Sequence, residues 1–81
     1  MTAETRRMLW RCRRGLLELD LVLERFVSAS YAGLNPVQKD AFDGLLDKPD
    51  NDLLELVCAR SESDDPNQKH VLDLIRGSRR R

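Results

Sequence analysis

Apolar residues recur along this chain at the three- and four-residue intervals of an α-helix, and nowhere do β-branched residues alternate with polar ones as a strand requires. Thr5, Met8, Leu9, Cys12 and Leu16 share one face of a first helix. Thr2 suits its N-cap, and Glu4 lies near the positive end of the helix dipole. Gly15 interrupts this segment and marks a turn or a close backbone approach. A second helix is predicted from about Leu17 to Ser30. Leu19, Val22, Leu23, Phe26 and Val27 lie on its buried face, with Asp20, Glu24, Arg25 and Ser28 opposite. Tyr31-Ala32-Gly33 closes it, Gly33 being suited to the left-handed C′ position.

Asn35-Pro36-Val37-Gln38 is a helix start: Asn caps, Pro takes the first helical position and Gln completes a capping box. This third helix should turn Val37, Ala41, Phe42, Leu45 and Leu46 inward. Lys48-Pro49-Asp50-Asn51 reads as a turn, with Asn51 or Asp52 as the next N-cap. The fourth helix, Leu53 to Ala59, is apolar over most of its circumference and is expected at the centre. After a polar loop from Ser61, a fifth helix starts near Pro66 or Asn67 and carries Val71, Leu72, Leu74 and Ile75. The expectation is an all-α fold, a compact five-helix bundle with antiparallel neighbours, over 1–76. A flexible basic tail should occupy 77–81.

At 81 residues there is room for one thin-cored domain and little for a deep cofactor pocket. Fourteen basic residues balance fourteen acidic ones, so net charge draws the chain to neither nucleic acid nor membrane. The distribution is uneven. Arg6, Arg7, Arg11, Arg13 and Arg14 crowd the start, whereas Asp40 to Asp65 is mostly acidic, an asymmetry expected to govern docking more than folding. An Arg-rich start can mark a transit peptide, but these residues carry the best motif in the chain and are expected to be retained. No apolar run is long enough to span a bilayer. Cys12 and Cys58 allow a disulfide by count; without a secretory signal, two buried reduced thiols are the expectation. With His70 they make a poor basis for a metal site. His70 is the sole histidine, no acidic pair stands out by spacing, and the glycines are isolated, so neither a catalytic residue nor a phosphate loop is indicated.

Trp10 projects opposite the apolar face of the first helix, among Arg6, Arg7, Arg13 and Arg14 at three- and four-residue spacing. Arginine over an indole is a favourable pairing, and both residue types are enriched in binding hot spots. The plainer alternative is a tryptophan capping the bundle among solvated arginines. Arg14-Gly15, followed by Glu18, can be a contact surface, or a helix–helix turn with a local Arg–Glu pair. Leu17 and Leu21 lie together outside the buried face of the second helix, a modest apolar patch.

The run Trp10-Arg11-Cys12-Arg13-Arg14-Gly15-Leu16-Leu17-Glu18-Leu19-Asp20 resembles the succinate dehydrogenase assembly factors, also called FAD assembly factors. Their hallmark, Arg-Gly-x-x-Glu, stands here as Arg14-Gly15-Leu16-Leu17-Glu18. The likeness continues through Phe26, Tyr31, the Asn-Pro capped helix with Phe42, Leu45 and Leu46, and Asp52-Leu53. It covers roughly residues 5 to 76. One departure is that Leu54, Leu56 and Val57 stand where the family often has aromatic residues, which bears on core packing. The resemblance implies a bacterial cytoplasmic protein, monomeric when free, that does no chemistry and holds no cofactor or metal of its own. It would dock on the flavoprotein subunit of succinate dehydrogenase, and in some bacteria on fumarate reductase, while the partner attaches FAD to its own histidine. Arg14, Gly15 and Glu18 would form the docking core, supported by Trp10, Arg13 and Asp20. Two other readings compete with it. One is a helical nucleic-acid-binding module using the arginines of the first helix. The other is a small flavin-binding enzyme or carrier, against which the thin core and missing phosphate loop argue.

Overall fold

The computed structural model describes residues 2–79. Among them lie five α-helices and no strand: α1 (Ala3–Arg11), α2 (Leu17–Ser30), α3 (Pro36–Leu46), α4 (Asp50–Val57) and α5 (Pro66–Arg79). A 3₁₀ turn, Tyr31–Gly33, joins α2 to α3. The extents, 32 × 27 × 25 Å, are nearly equal, so these short helices wrap one core.

The caps follow the local chemistry. Thr2 accepts from the Thr5 N–H at 3.1 Å. Asn35 and Gln38 form a complete capping box, Asn35 Oδ1 accepting from Gln38 N and Gln38 Oε1 from Asn35 N. Asp65, which the apolar pattern does not pick out, caps α5 by accepting from the Asn67 N–H at 2.8 Å. Its own N–H donates to buried Ser63, whose hydroxyl donates to Gln68.

Elsewhere the chain departs from the periodic pattern. Gly33 does not take the left-handed conformation; Gly15 is the one described glycine with positive φ. The chain passes instead through the 3₁₀ turn into an extended Leu34, whose N–H donates to Tyr31 O. Ala59 takes the left-handed position, at the end of α4 (φ 63°). There Ala59 N donates to Leu56 O and Arg60 N to Glu55 O, the paired bonds of a Schellman ending. Helix α4 begins at Asp50, earlier than Asn51 or Asp52 as caps would place it, with Pro49 before it and no side-chain cap.

Leu23, Phe26, Phe42, Leu45, Leu53, Val71, Leu72 and Ile75 are fully buried. The Phe42 ring lies 5.3 Å from Phe26 and 5.9 Å from Tyr31, both tilted, a geometry that favours aromatic pairs. The hub is α5, which packs on α2, α3 and α4. Helix α4, expected at the centre, packs chiefly on α5, because only one side of its eight residues, Leu53, Leu56 and Val57, is buried. Val37 and Leu74, both expected inward, are exposed. Val37 sits in the first turn of α3, beyond the reach of the core, and Leu74 lies at the margin of the Val71–Ile75 stripe. Helix α5 continues through Gly77 to Arg79, past the point where the tail was expected; Arg80 and Arg81 lie outside the described residues. Among the described residues no helix is long and apolar enough to cross a membrane.

Candidate functional site: the Arg14–Glu18 turn

Helix α1 ends at Arg11 with Cys12 as its C-cap, and α2 begins at Leu17 with no side-chain cap from extended Leu16. The backbone N–H groups between them need partners. Asp20 accepts from two of them. Its Oδ1 accepts from Arg14 N at 3.0 Å and its Oδ2 from Gly15 N at 3.1 Å. This side chain reaches back from inside α2, so it is part of the turn and not of the face opposite the core. Gly15 stands at φ +90°, the left-handed region in which a Cβ is strained. A Cβ added there would meet nothing within 4 Å, so the glycine is required by conformation and not by crowding.

The arginines of α1 and of the turn after it divide by direction. Arg11 turns inward, bonding the Asp43 carboxylate and donating to Asp47 Oδ1 at 2.8 Å. Arg14 turns inward as well, and its side chain is only 13 % exposed. Its Nε donates to Asp50 Oδ1 at 2.6 Å and its Nη1 to Leu46 O at 2.7 Å, and its Nη2 donates to Lys48 O. Arg14 therefore pairs across the fold with the α3–α4 corner. Part of the charge asymmetry between the chain's two halves is thus consumed in folding. Asp50 as a partner of Arg14, and Asp43 and Asp47 as partners of Arg11, are contacts that spacing alone does not reveal; the only hint is an acidic run opposite an arginine-rich one.

Arg6, Arg7 and Arg13 remain outward. Arg13 lies over the Trp10 ring, 4.7 Å from its centroid, and Trp10 is 66 % exposed. Arg6, Leu9, Trp10 and Arg13 line a shallow notch of about 170 Å³. Glu18 is exposed on the first turn of α2, with Leu17 (76 % exposed) beside it and Leu21 one turn on. Of the six expected contact residues, Trp10, Arg13, Gly15 and Glu18 thus face outward, whereas Arg14 and Asp20 brace the turn from within.

The remaining chemistry is sparse. Cys12 is buried and Cys58 only half-buried, and both are free thiols. Burial pushes the Cys12 thiol up to about 12. Among the described residues no group of His, Cys, Asp and Glu could hold a metal ion. A cavity of about 630 Å³ between the α4–α5 loop and α4 contains none of the six residues.

Fold and site together define a small all-helical protein whose candidate site is an open surface around one internally braced turn. The chain belongs to the family described as flavinator of succinate dehydrogenase, whose model matches residues 6–79. It is 43 % identical over 74 residues to the FAD assembly factor SdhE of Ralstonia nicotianae, an alignment covering 86 % of this chain and 78 % of that one. It is 39 % identical to the protein of that name from Legionella pneumophila strain Lens, covering 89 % and 86 %, and 34 % identical to that of Coxiella burnetii, covering 88 % and 87 %. No solved structure matches the chain.

Proposed function

We propose that this chain is an assembly factor that binds the flavoprotein subunit of succinate dehydrogenase and promotes covalent attachment of FAD to it. The observation that carries the proposal is the outward presentation of Gly15, Leu17 and Glu18 on a turn held rigid from inside, in a chain of the flavinator family. The glycine leaves backbone open to a partner's approach, Glu18 offers a carboxylate for directional bonds, and Leu17 and Leu21 offer apolar area. Trp10 with Arg13 extends the same kind of contact along α1.

The factor does no chemistry in this reading and holds no cofactor; FAD is the partner's cargo. A small rigid body docked on the flavoprotein favours the arrangement in which histidine and flavin meet, and such positioning is among the largest sources of rate acceleration. It acts as a monomer in the cytoplasm, with the fumarate reductase flavoprotein as a second client. The test is co-purification with the succinate dehydrogenase flavoprotein subunit, followed by in-gel flavin fluorescence. Wild type should bind and raise covalent flavin, and Glu18→Ala should do neither. A wild-type protein that neither binds nor raises flavinylation would refute the proposal and send the arginine face of α1 to a test against nucleic acid.

A further inference from the structure

Arg14, the first residue of the motif, does not present its charge to solvent. Three of its nitrogens are committed: Nε to Asp50 Oδ1, Nη1 to Leu46 O and Nη2 to Lys48 O. The two carbonyls lie at the C-terminal end of α3 and just beyond it, where backbone acceptors lack helical partners. A planar fork with donors at fixed angles suits that cluster, and a lysine could not reproduce it. The backbone N–H of the same residue donates to Asp20, which also holds the Gly15 N–H. Arg14 is thus anchored at both ends: its main chain belongs to the Gly15 turn and its side chain to the α3–α4 corner.

We infer that Arg14 is a positioning residue, which sets the Gly15–Glu18 surface by locking the α1–α2 turn to the α3–α4 corner and does not itself contact the partner. The inference rests on the function proposed above. It assigns to Asp50, which lies outside the motif, a share in partner binding. A comparable arginine supplies the control. Arg76 is 15 % exposed and donates from Nε and Nη2 to Leu56 O, bracing the end of α4 with none of the motif residues involved.

The experiment compares Arg14→Ala, Asp50→Ala, their combination and Arg76→Ala in the full chain. Affinity for the flavoprotein subunit, melting temperature and amide exchange at Gly15 are read for each. Arg14→Ala should weaken binding about tenfold, within the range by which residues touching neither ligand shift a coupled site. Asp50→Ala, which leaves the arginine in place, should weaken binding in the same direction by less, since two carbonyl acceptors remain. The combination should be no weaker than Arg14→Ala, because the two residues act through one contact. Arg76→Ala should lower the melting temperature and leave affinity unchanged. Gly15 exchange should quicken in the Arg14 and Asp50 variants and stay at the wild-type rate in Arg76→Ala. Unchanged or tighter binding by Asp50→Ala beside a loss in Arg14→Ala would overturn the inference in favour of direct contact. Loss of affinity in Arg76→Ala in proportion to its melting temperature would overturn it in favour of general stability. A wild-type protein that fails to bind would defeat the proposed function alone. Gly15 exchange in the free protein then decides the inference, and wild-type rates in Arg14→Ala and Asp50→Ala would end it.

Discussion

Arg14 and Asp50 lie 36 residues apart in sequence, and the guanidinium Nε of one donates to the carboxylate of the other at 2.6 Å. This contact closes the first half of the chain onto the start of α4. Arg76 treats the far end of α4 alike, bonding Leu56 O at 3.1 and 2.6 Å. Two largely buried arginines thus supply hydrogen bonds that short helices leave wanting at their ends, and a bond to a charged group is worth more than a neutral one.

Gly15→Arg should abolish partner binding and leave the helices in place. The left-handed backbone costs an ordinary residue about 1–2 kcal/mol, which lowers the melting temperature of a chain this size by about 4–8 °C per kcal/mol. Nothing obstructs a Cβ at this position, so Gly15→Ala should carry the same thermal cost and keep more of the binding. Far-UV circular dichroism and a pull-down on both variants check this. Loss of helical signal in either would make Gly15 essential to the fold instead.

Leu23→Ala should be among the more damaging core truncations. Leu23 is fully buried between elements that α5 joins, and such truncations cost about 2–5 kcal/mol. Urea unfolding should show the midpoint falling with little change in slope. A midpoint equal to wild type would mean that the site collapses around the smaller side chain.

Ala59→Gly should stabilise the protein. Ala59 holds φ 63° at the C′ position of α4, where glycine has no Cβ penalty. The gain, after the greater chain entropy of glycine in the unfolded state, is about 0.5–1 kcal/mol. A thermal melt reads it directly, and a lower melting temperature would contradict it.

Stability should fall as the solution becomes alkaline. Burial raises the Cys12 thiol from 9.0 to about 12. Burial, and donation of its hydroxyl to Glu4, raise the Tyr31 phenol from 10.0 to about 12. The folded state therefore keeps protons that the unfolded chain releases first. By linkage the stability is complete below the unfolded values and is lost as pH climbs toward the folded ones. Urea midpoints across that range should decline, and less steeply in Tyr31→Phe. The same burial predicts that alkylation of the native protein modifies half-buried Cys58 before Cys12, a difference mass spectrometry resolves and denaturant should erase.

Much of this was legible in the sequence because it is local. Leu19, Val22, Leu23, Phe26 and Val27 form a stripe by spacing alone, and Asn35-Pro36 with Gln38 spells a capping box. The exposure of Trp10, Leu17 and Leu21 follows from the same periodicity. What periodicity cannot supply is the direction of a long polar side chain. Arg13 and Arg14 are neighbours of like chemistry; one lies over an exposed indole, and the other is drawn into a cluster of acceptors that exists only after α3 has ended nearby. Asp20 misleads for a related reason, since its place on a helical wheel says nothing of the unpaired N–H groups behind it. Val37 shows the converse: the stripe continues to the helix end, while the core beneath it does not.

The placement of Trp10 also equips the molecule with an optical reporter. It is the only tryptophan in the chain, and it stands in solvent at the end of α1, with Arg13 across its ring, instead of in the core. Its emission should change little when the bundle melts, since the indole is already wet. Burial of that face beneath another protein would shift the emission toward the blue, so a complex formed there would announce itself without any label.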